Sequence, residues 1–171
     1  MTINADYVIV ESGGLIDSSG AGYQAGSGPG SGSGHTGGSH ASPGGRAASG
    51  SQYGSVYWPQ EPGSGGGYGA GGGWLYIQTG GHVIVEGTIR ANGAGESSSS
   101  SGGGSGGAII VKSLFLKGYG TIECHGGLYK EDFRKFVNFH QISDRIVRFT
   151  SVLHTNIGNL FEFRERKNTT I

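Results

Sequence analysis

A few residues in this chain have types and spacings that chemistry uses. His35 and His40 lie in a glycine-rich stretch, and Glu123, Cys124 and His125 adjoin one another. Structural zinc takes four convergent ligands at spacings such as C-x2–4-C and H-x3–5-H. The two histidines supply half of such a pattern, but with a single cysteine in the chain no cysteine pair completes it. Histidines that tie glycine loops down by hydrogen bonds explain the spacing more simply, so no metal ligand and no cofactor is assigned. Asp17, Glu86 and Glu123 lie on or end apolar runs. Polysaccharide cleavage needs an acid and a base on one face at a set separation. Glu86 and Glu123 occupy different positions of the repeat described below, and no catalytic residue is assigned. Gly32 to Gly37 reads G-x-G-x-x-G. That motif cradles pyrophosphate only between a strand and a helix N-terminus, and the flanks here are further glycine and serine.

The aromatics are the more promising set. Tyr53, Tyr57, Trp58, Tyr68, Trp74 and Tyr76 fall between residues 53 and 76. Ring faces stack on the apolar faces of sugars while their polar tips stay in water. These six are the candidate glycan contacts; the competing role is to cap a core that glycine loops leave thin. Cys124 alternates with Ile122 and reads as a small core residue rather than a nucleophile.

The elements that must position these groups are set by glycine. It makes up 38 of the 171 residues, about three times ordinary usage. There is no Gly-X-Y period and only four prolines, which excludes collagen. Short runs rich in Val, Ile, Leu and aromatics alternate with Gly/Ser tracts: VIV (8–10), LI (15–16), WLYI (74–77), HVIVEGTIRA (82–91), AIIV (108–111) and LFLKGYGTIE (114–123). Such runs bounded by glycine are how short strands with tight turns read.

Aligned, the runs form a repeat. Gly73–Ile77 matches Gly107–Val111 with an offset of 34, and Gly87–Gly93 matches Gly120–Gly126 with an offset of 33, so one residue is deleted in between. A partial third copy lies earlier, where Val8–Glu11 matches Val83–Glu86 and Gly20-Ala21-Gly22 matches Gly93-Ala94-Gly95. Each full copy holds three strands, WLYIQ, HVIVE and TIRAN, followed by a glycine-rich return. Strands this short gain stability when copies stack and their inward side chains form one core. The pattern predicts an all-β fold, a parallel β-helix or β-solenoid with long Gly-rich loops; a small antiparallel sandwich is the alternative. Two good copies and a partial one are few for a solenoid, so the chain reads as a piece of something longer.

The ordered signatures carry a resemblance. Gly37-Gly38-Ser39-His40, Tyr53-Gly54-Ser55, Pro62 to Gly66, Gly71 to Ile77, Gly87 to Gly93 and Gly102 to Val111 follow one another as in large glycine-rich eukaryotic proteins of plants, protists and some animals. The chain resembles that family over about residues 8–127. The resemblance implies a β-helix-like repeat in a cell-surface or wall-associated parent, and it implies no common activity.

Composition changes abruptly after Gly127. Residues 1–127 hold 37 glycines and residues 128–171 hold one. The first part has four basic and seven acidic residues, net −3, while the tail has eight basic and five acidic, net +3. The predicted division is a glycine-rich β-solenoid segment at 1–127 and a tail at 128–171. In the tail, Phe133, Phe136, Ile142, Ile146 and Phe149 fall near helical spacing with basic residues between them. A basic amphipathic helix over 130–154 is one expectation, with contact to a membrane surface or a partner; a disordered or non-native tail is the other. The zero net charge gives no bulk attraction for nucleic acid. No apolar run is long enough to span a membrane, and the start has no signal-peptide pattern. The expected function is a non-catalytic structural or adhesive scaffold. Its expected partners are carbohydrate or further copies of its own repeat, and its parent is expected to be extracellular or at the cell surface. A β-helix enzyme acting on polysaccharide, similar to pectin lyases, is the alternative.

Overall fold

The computed structural model describes residues 1–45, 50–55, 57–95 and 101–127, together with the backbone of a strand at 141–150. The architecture is all-β. The strands are β1 (Thr2–Ala5), β2 (Val8–Val10), β3 (Leu15–Asp17), β4 (Trp74–Thr79), β5 (His82–Val85), β6 (Thr88–Arg90), β7 (Ala108–Lys117), β8 (Thr121–Glu123) and β9 (Gln141–Thr150).

Every pairing among β1 to β8 is parallel, which excludes an antiparallel sandwich. The strands form three tiers, β1-β2-β3, β4-β5-β6 and β7-β8, and each strand pairs with its counterpart in the next tier. Register follows the repeat: Trp74 faces Ala108, Val8 faces Val83, and Thr88 faces Thr121. The first tier is fuller than the sequence suggested, because β1 precedes β2 and pairs with β4. In the second tier Gly80-Gly81 separates β4 from β5. Between the register pairs Gln78–Lys112 and His82–Phe115 the second tier has three residues, Thr79 to Gly81, and the third has two, Ser113-Leu114, with no glycine, so β7 runs on as a single strand of 10 residues. It therefore pairs with both β4 and β5, producing a curled six-stranded sheet beside a three-stranded sheet of β3, β6 and β8.

Alternation decides what is buried. On β4, Leu75, Ile77 and Thr79 point inward and are buried, while Trp74, Tyr76 and Gln78 face out. Register then aligns like residues in columns: Ile3–Ile77–Val111, Val8–Val83–Leu116 and Ile16–Ile89–Ile122. Side chains from both sheets make one core cluster, including Leu75, Ile77, Val83, Ile89, Ile109 and Ile122, all fully buried. Each such side chain contributes about 1.5–3 kcal/mol relative to an exposed one.

The long glycine-rich segment between β3 and β4 is held by backbone hydrogen bonds between its own stretches and to the later loop around Gly103. Gly37, Gly38 and Ser39 are consecutive, and their amides donate to Gly45, Gly103 and Gly30. Gly65, Gly66 and Gly67 donate to Ser27, Gly69 and Thr36. Packing is backbone on backbone. A Cβ on Gly66 would meet the carbonyls of Gly102 and Gly103 far inside contact distance.

The tail differs from its expectation. Residues 141–150 form β9, antiparallel to β7 from Ala108↔Thr150 to Lys117↔Gln141, so an amphipathic helix over 130–154 does not form there. The physical reason is that β7 offers a long edge, and QISDRIVRFT is rich in the β-branched and aromatic types that suit a strand. Residues 130–140 and 151–154 lie outside the described residues. Among the described residues no helix is long and apolar enough to cross a membrane.

Candidate functional site

The outward row of β4 positions the two best-placed aromatics. Trp74 and Tyr76 are two apart on one strand and therefore share a face. Their ring planes lie 3° from parallel with centroids 5.9 Å apart. The Trp74 indole N–H donates to the carbonyl of Pro59 at 2.9 Å, which fixes that ring and brings the Tyr57-Trp58-Pro59 turn beside it. Trp58 is 45% and Tyr57 62% exposed. The Tyr76 hydroxyl donates to Gln78 Oε1 at 2.8 Å. In register with Gln78 stand Asn4 on β1 and Lys112 on β7, so a polar row borders the rings.

The other two sequence-predicted aromatics go elsewhere. Tyr68 packs against His35, centroids 6.4 Å apart, at the surface of the glycine segment. Tyr53 turns inward, with its ring 4.9 Å from that of His40. Its hydroxyl donates to the Pro62 carbonyl and accepts from Ser64 Oγ, while Ser64 Oγ accepts from the Gly30 amide at 2.9 Å. Burial pushes the Tyr53 phenol up to about 12. Of the six candidates, the structure pairs the rings of Trp74 and Tyr76 and ties Trp74 to the backbone that follows Tyr57 and Trp58, while Tyr53 and Tyr68 pack against histidines elsewhere.

His35 and His40 are not brought together. His40 is buried, and its Nδ1 stands 3.2 Å from the Gly106 carbonyl. A carbonyl only accepts, so Nδ1 carries the proton and donates. Nε2 has no hydrogen-bond partner in the interior. Burial holds this imidazole below its ordinary pKa. The histidine ties glycine segments together through this bond. Among the described residues no group of three or more His, Cys, Asp or Glu gathers as a metal site. Four amides of the G-x-G-x-x-G stretch are engaged within the segment: Gly32 donates to Gly65, Ser33 to Thr36 Oγ1, Thr36 to Ser33 and Gly37 to Gly45.

The carboxylates are better ordered than the sequence suggested. Asp17, Arg90 and Glu123 occupy one register column across β3, β6 and β8. Arg90 and Asp17 form an ion pair at 2.8 Å, and Asn92 Nδ2 donates to Glu123 Oε1 at 3.0 Å. The Arg90 hydrogen bond pulls Asp17 down to about 2, so Asp17 stays ionised and is a poor proton donor. Glu86 lies elsewhere, its Oε2 accepting the Tyr119 amide. Cys124 packs against the core cluster, and burial pushes its thiol up.

One aromatic group was missed. Tyr7 stacks on His82 with centroids 5.9 Å and planes 20° apart, and Phe115 stands in register with His82 on β7. The three rings span the three tiers. Tyr7 and Phe115 are 60% and 41% exposed. The offsets already read from the repeat, 75 residues from Val8 to Val83 and 33 in the later copies, would have aligned all three. No protein-family model matches the chain, and neither a curated protein nor a solved structure matches it.

Proposed function

We propose that this chain is a segment of a glycine-rich β-solenoid with a structural or adhesive role, which holds glycan against an outward aromatic face without turning it over. The observation that carries the reading is the parallel pair Trp74 and Tyr76, tied by the Pro59 hydrogen bond to the turn that carries the exposed Trp58 and bordered by Gln78. Fixed rings lose little freedom on binding, and that favours stacking on a sugar. The solenoid reading is supported by the in-register columns, in which each tier buries what its neighbour leaves open. A parent at the cell surface, of the glycine-rich repeat kind, suits such a scaffold.

The experiment is binding of soluble glycans to the full chain, with turnover measured in the same samples. The proposal expects retention without cleavage, weakened by Trp74→Ala and Trp58→Ala by up to about tenfold each, the upper range for one stacked ring. Cleavage would favour the polysaccharide-active enzyme instead. That second reading has one observation of its own, the Asp17–Arg90–Glu123 column, which sets two carboxylates about 10 Å apart by strand spacing. Arg90 between them holds Asp17 ionised, contrary to what a general acid needs.

A further inference from the structure

The outward face of β7 links the two aromatic groups. Within β1, β2, β4, β5 and β7, the parallel strands of the larger sheet, Lys112 and Lys117 are the only Lys, Arg, Asp or Glu residues. Both are exposed on β7. Lys112 stands in register with Gln78, two residues from Tyr76. Lys117 stands in register with Ile84, two residues from the His82–Phe115 pair. Each lysine therefore flanks one set of rings. Five residues of strand separate them by at most ~17 Å, a span that an extended oligosaccharide of a few units covers. The nearby carboxylates, Asp6, Glu11 and Glu86, lie outside the strands, at the bends of the first two tiers.

From this layout we infer that β7 and its flanks form a binding track for a carboxylated polysaccharide. The sugar rings rest on Trp74 and Tyr76 at one end and on His82, Phe115 and Tyr7 at the other, and the carboxylates meet Lys112 and Lys117. Charge complementarity selects this occupant over a neutral glycan, since β1, β2, β4, β5 and β7 carry cations and no anions, and β9, paired with β7, carries two arginines against the single Asp144. A nucleic acid also stacks on rings, but its phosphate density calls for many more basic contacts than two. The inference rests on the glycan-binding reading above and adds the class of glycan and a second set of rings.

The test uses the full chain and polygalacturonate, its fully methyl-esterified form, and oligo(dT) as probes. The expected result is binding of polygalacturonate that weakens about tenfold when both lysines become glutamine, the scale of two exposed ion pairs. Binding should fall by a similar factor on esterification, weaken with salt, and fall again in Phe115→Ala. Equal binding of both polysaccharides, unchanged in Lys112→Gln/Lys117→Gln, overturns the track while leaving the glycan reading intact. Loss in Trp74→Ala with no change in Phe115→Ala or the lysine variants does the same. Binding of neither polysaccharide overturns both, and tighter binding of oligo(dT) replaces them with a nucleic-acid site.

Discussion

Gly104→Ala is the sharpest perturbation of the glycine segment. Gly104 donates its amide to the Ala94 carbonyl at 2.9 Å, and a Cβ there would collide with the Ala70 carbonyl and the Gly71 amide. Overpacking costs about 1–3 kcal/mol where side chains can yield. Here the obstacle is backbone already held in hydrogen bonds, so the upper end applies. Alanine also restricts the unfolded chain, which returns about 0.4–1 kcal/mol. The net expectation is a loss of about 2 kcal/mol, or roughly 4–8 °C in Tm for a chain of this size. Two controls separate collision from composition. A Cβ on Gly45 meets nothing within 4 Å, so Gly45→Ala should change stability by less than about 0.5 kcal/mol. Gly13 also faces open space but has φ +80°, so Gly13→Ala should cost about 1 kcal/mol through backbone strain alone. Denaturant unfolding followed by circular dichroism measures all three. If Gly104→Ala unfolds within 0.5 kcal/mol of the parent chain, or Gly45→Ala costs as much, backbone-on-backbone packing is refuted.

The other predictions concern the core, the buried histidine and the thiol. Ile89→Ala removes the middle of the Ile16–Ile89–Ile122 column, fully buried in the core, and should cost about 2–5 kcal/mol in the same unfolding experiment. His40 has its pKa lowered by burial from the ordinary 6.5, so the folded state binds fewer protons than the unfolded one. Its contribution is complete above pH 6.5 and is lost as pH falls toward the folded pKa. Stability measured from pH 7.5 down to 5 should therefore decline, and His40→Asn should flatten that decline; an unchanged slope would contradict burial of the neutral ring. Cys124, with its thiol pushed up by burial, should alkylate with iodoacetamide at pH 8 far more slowly in the folded chain than in urea.

Much of the fold was legible because the repeat is a register code. Matching Gly73–Ile77 to Gly107–Val111 and Gly87–Gly93 to Gly120–Gly126 is the same as stating the pairings of β4 with β7 and of β6 with β8. The single-residue deletion became the continuous bend of β7. What stayed hidden was non-local. TINA has too little apolar pattern to announce β1, and it is a strand because β4 offers an edge. The tail's apolar spacing fitted a helix as well as a strand, an ambiguity that pattern alone does not resolve. The glycine segment has no side-chain period to read, since its order lies in backbone amides bonded between distant stretches. Of the aromatics, sequence proximity collected six, but the hydrogen bonds of Tyr53 and the ring contact of Tyr68 sort them differently. Tyr7, His82 and Phe115 are far apart in sequence, and they group only when the repeat offsets of 75 and 33 are applied beyond the strand cores that define them.

Cross-linking between tiers tests the stacked, in-register architecture most directly. Thr88 and Thr121 are register partners on β6 and β8, so their Cα atoms should be about 4.8 Å apart, within disulfide range. Glu123 is displaced from Thr88 by two residues, about 8 Å away by the same geometry. In a Cys124→Ser background, the pair Thr88→Cys/Thr121→Cys should oxidise to an intramolecular disulfide, and Thr88→Cys/Glu123→Cys should remain reduced. Peptide mapping of the oxidised chains reads the outcome. Bridging of the second pair in place of the first would contradict the register, and with it the columns, the core and the aromatic face built upon them.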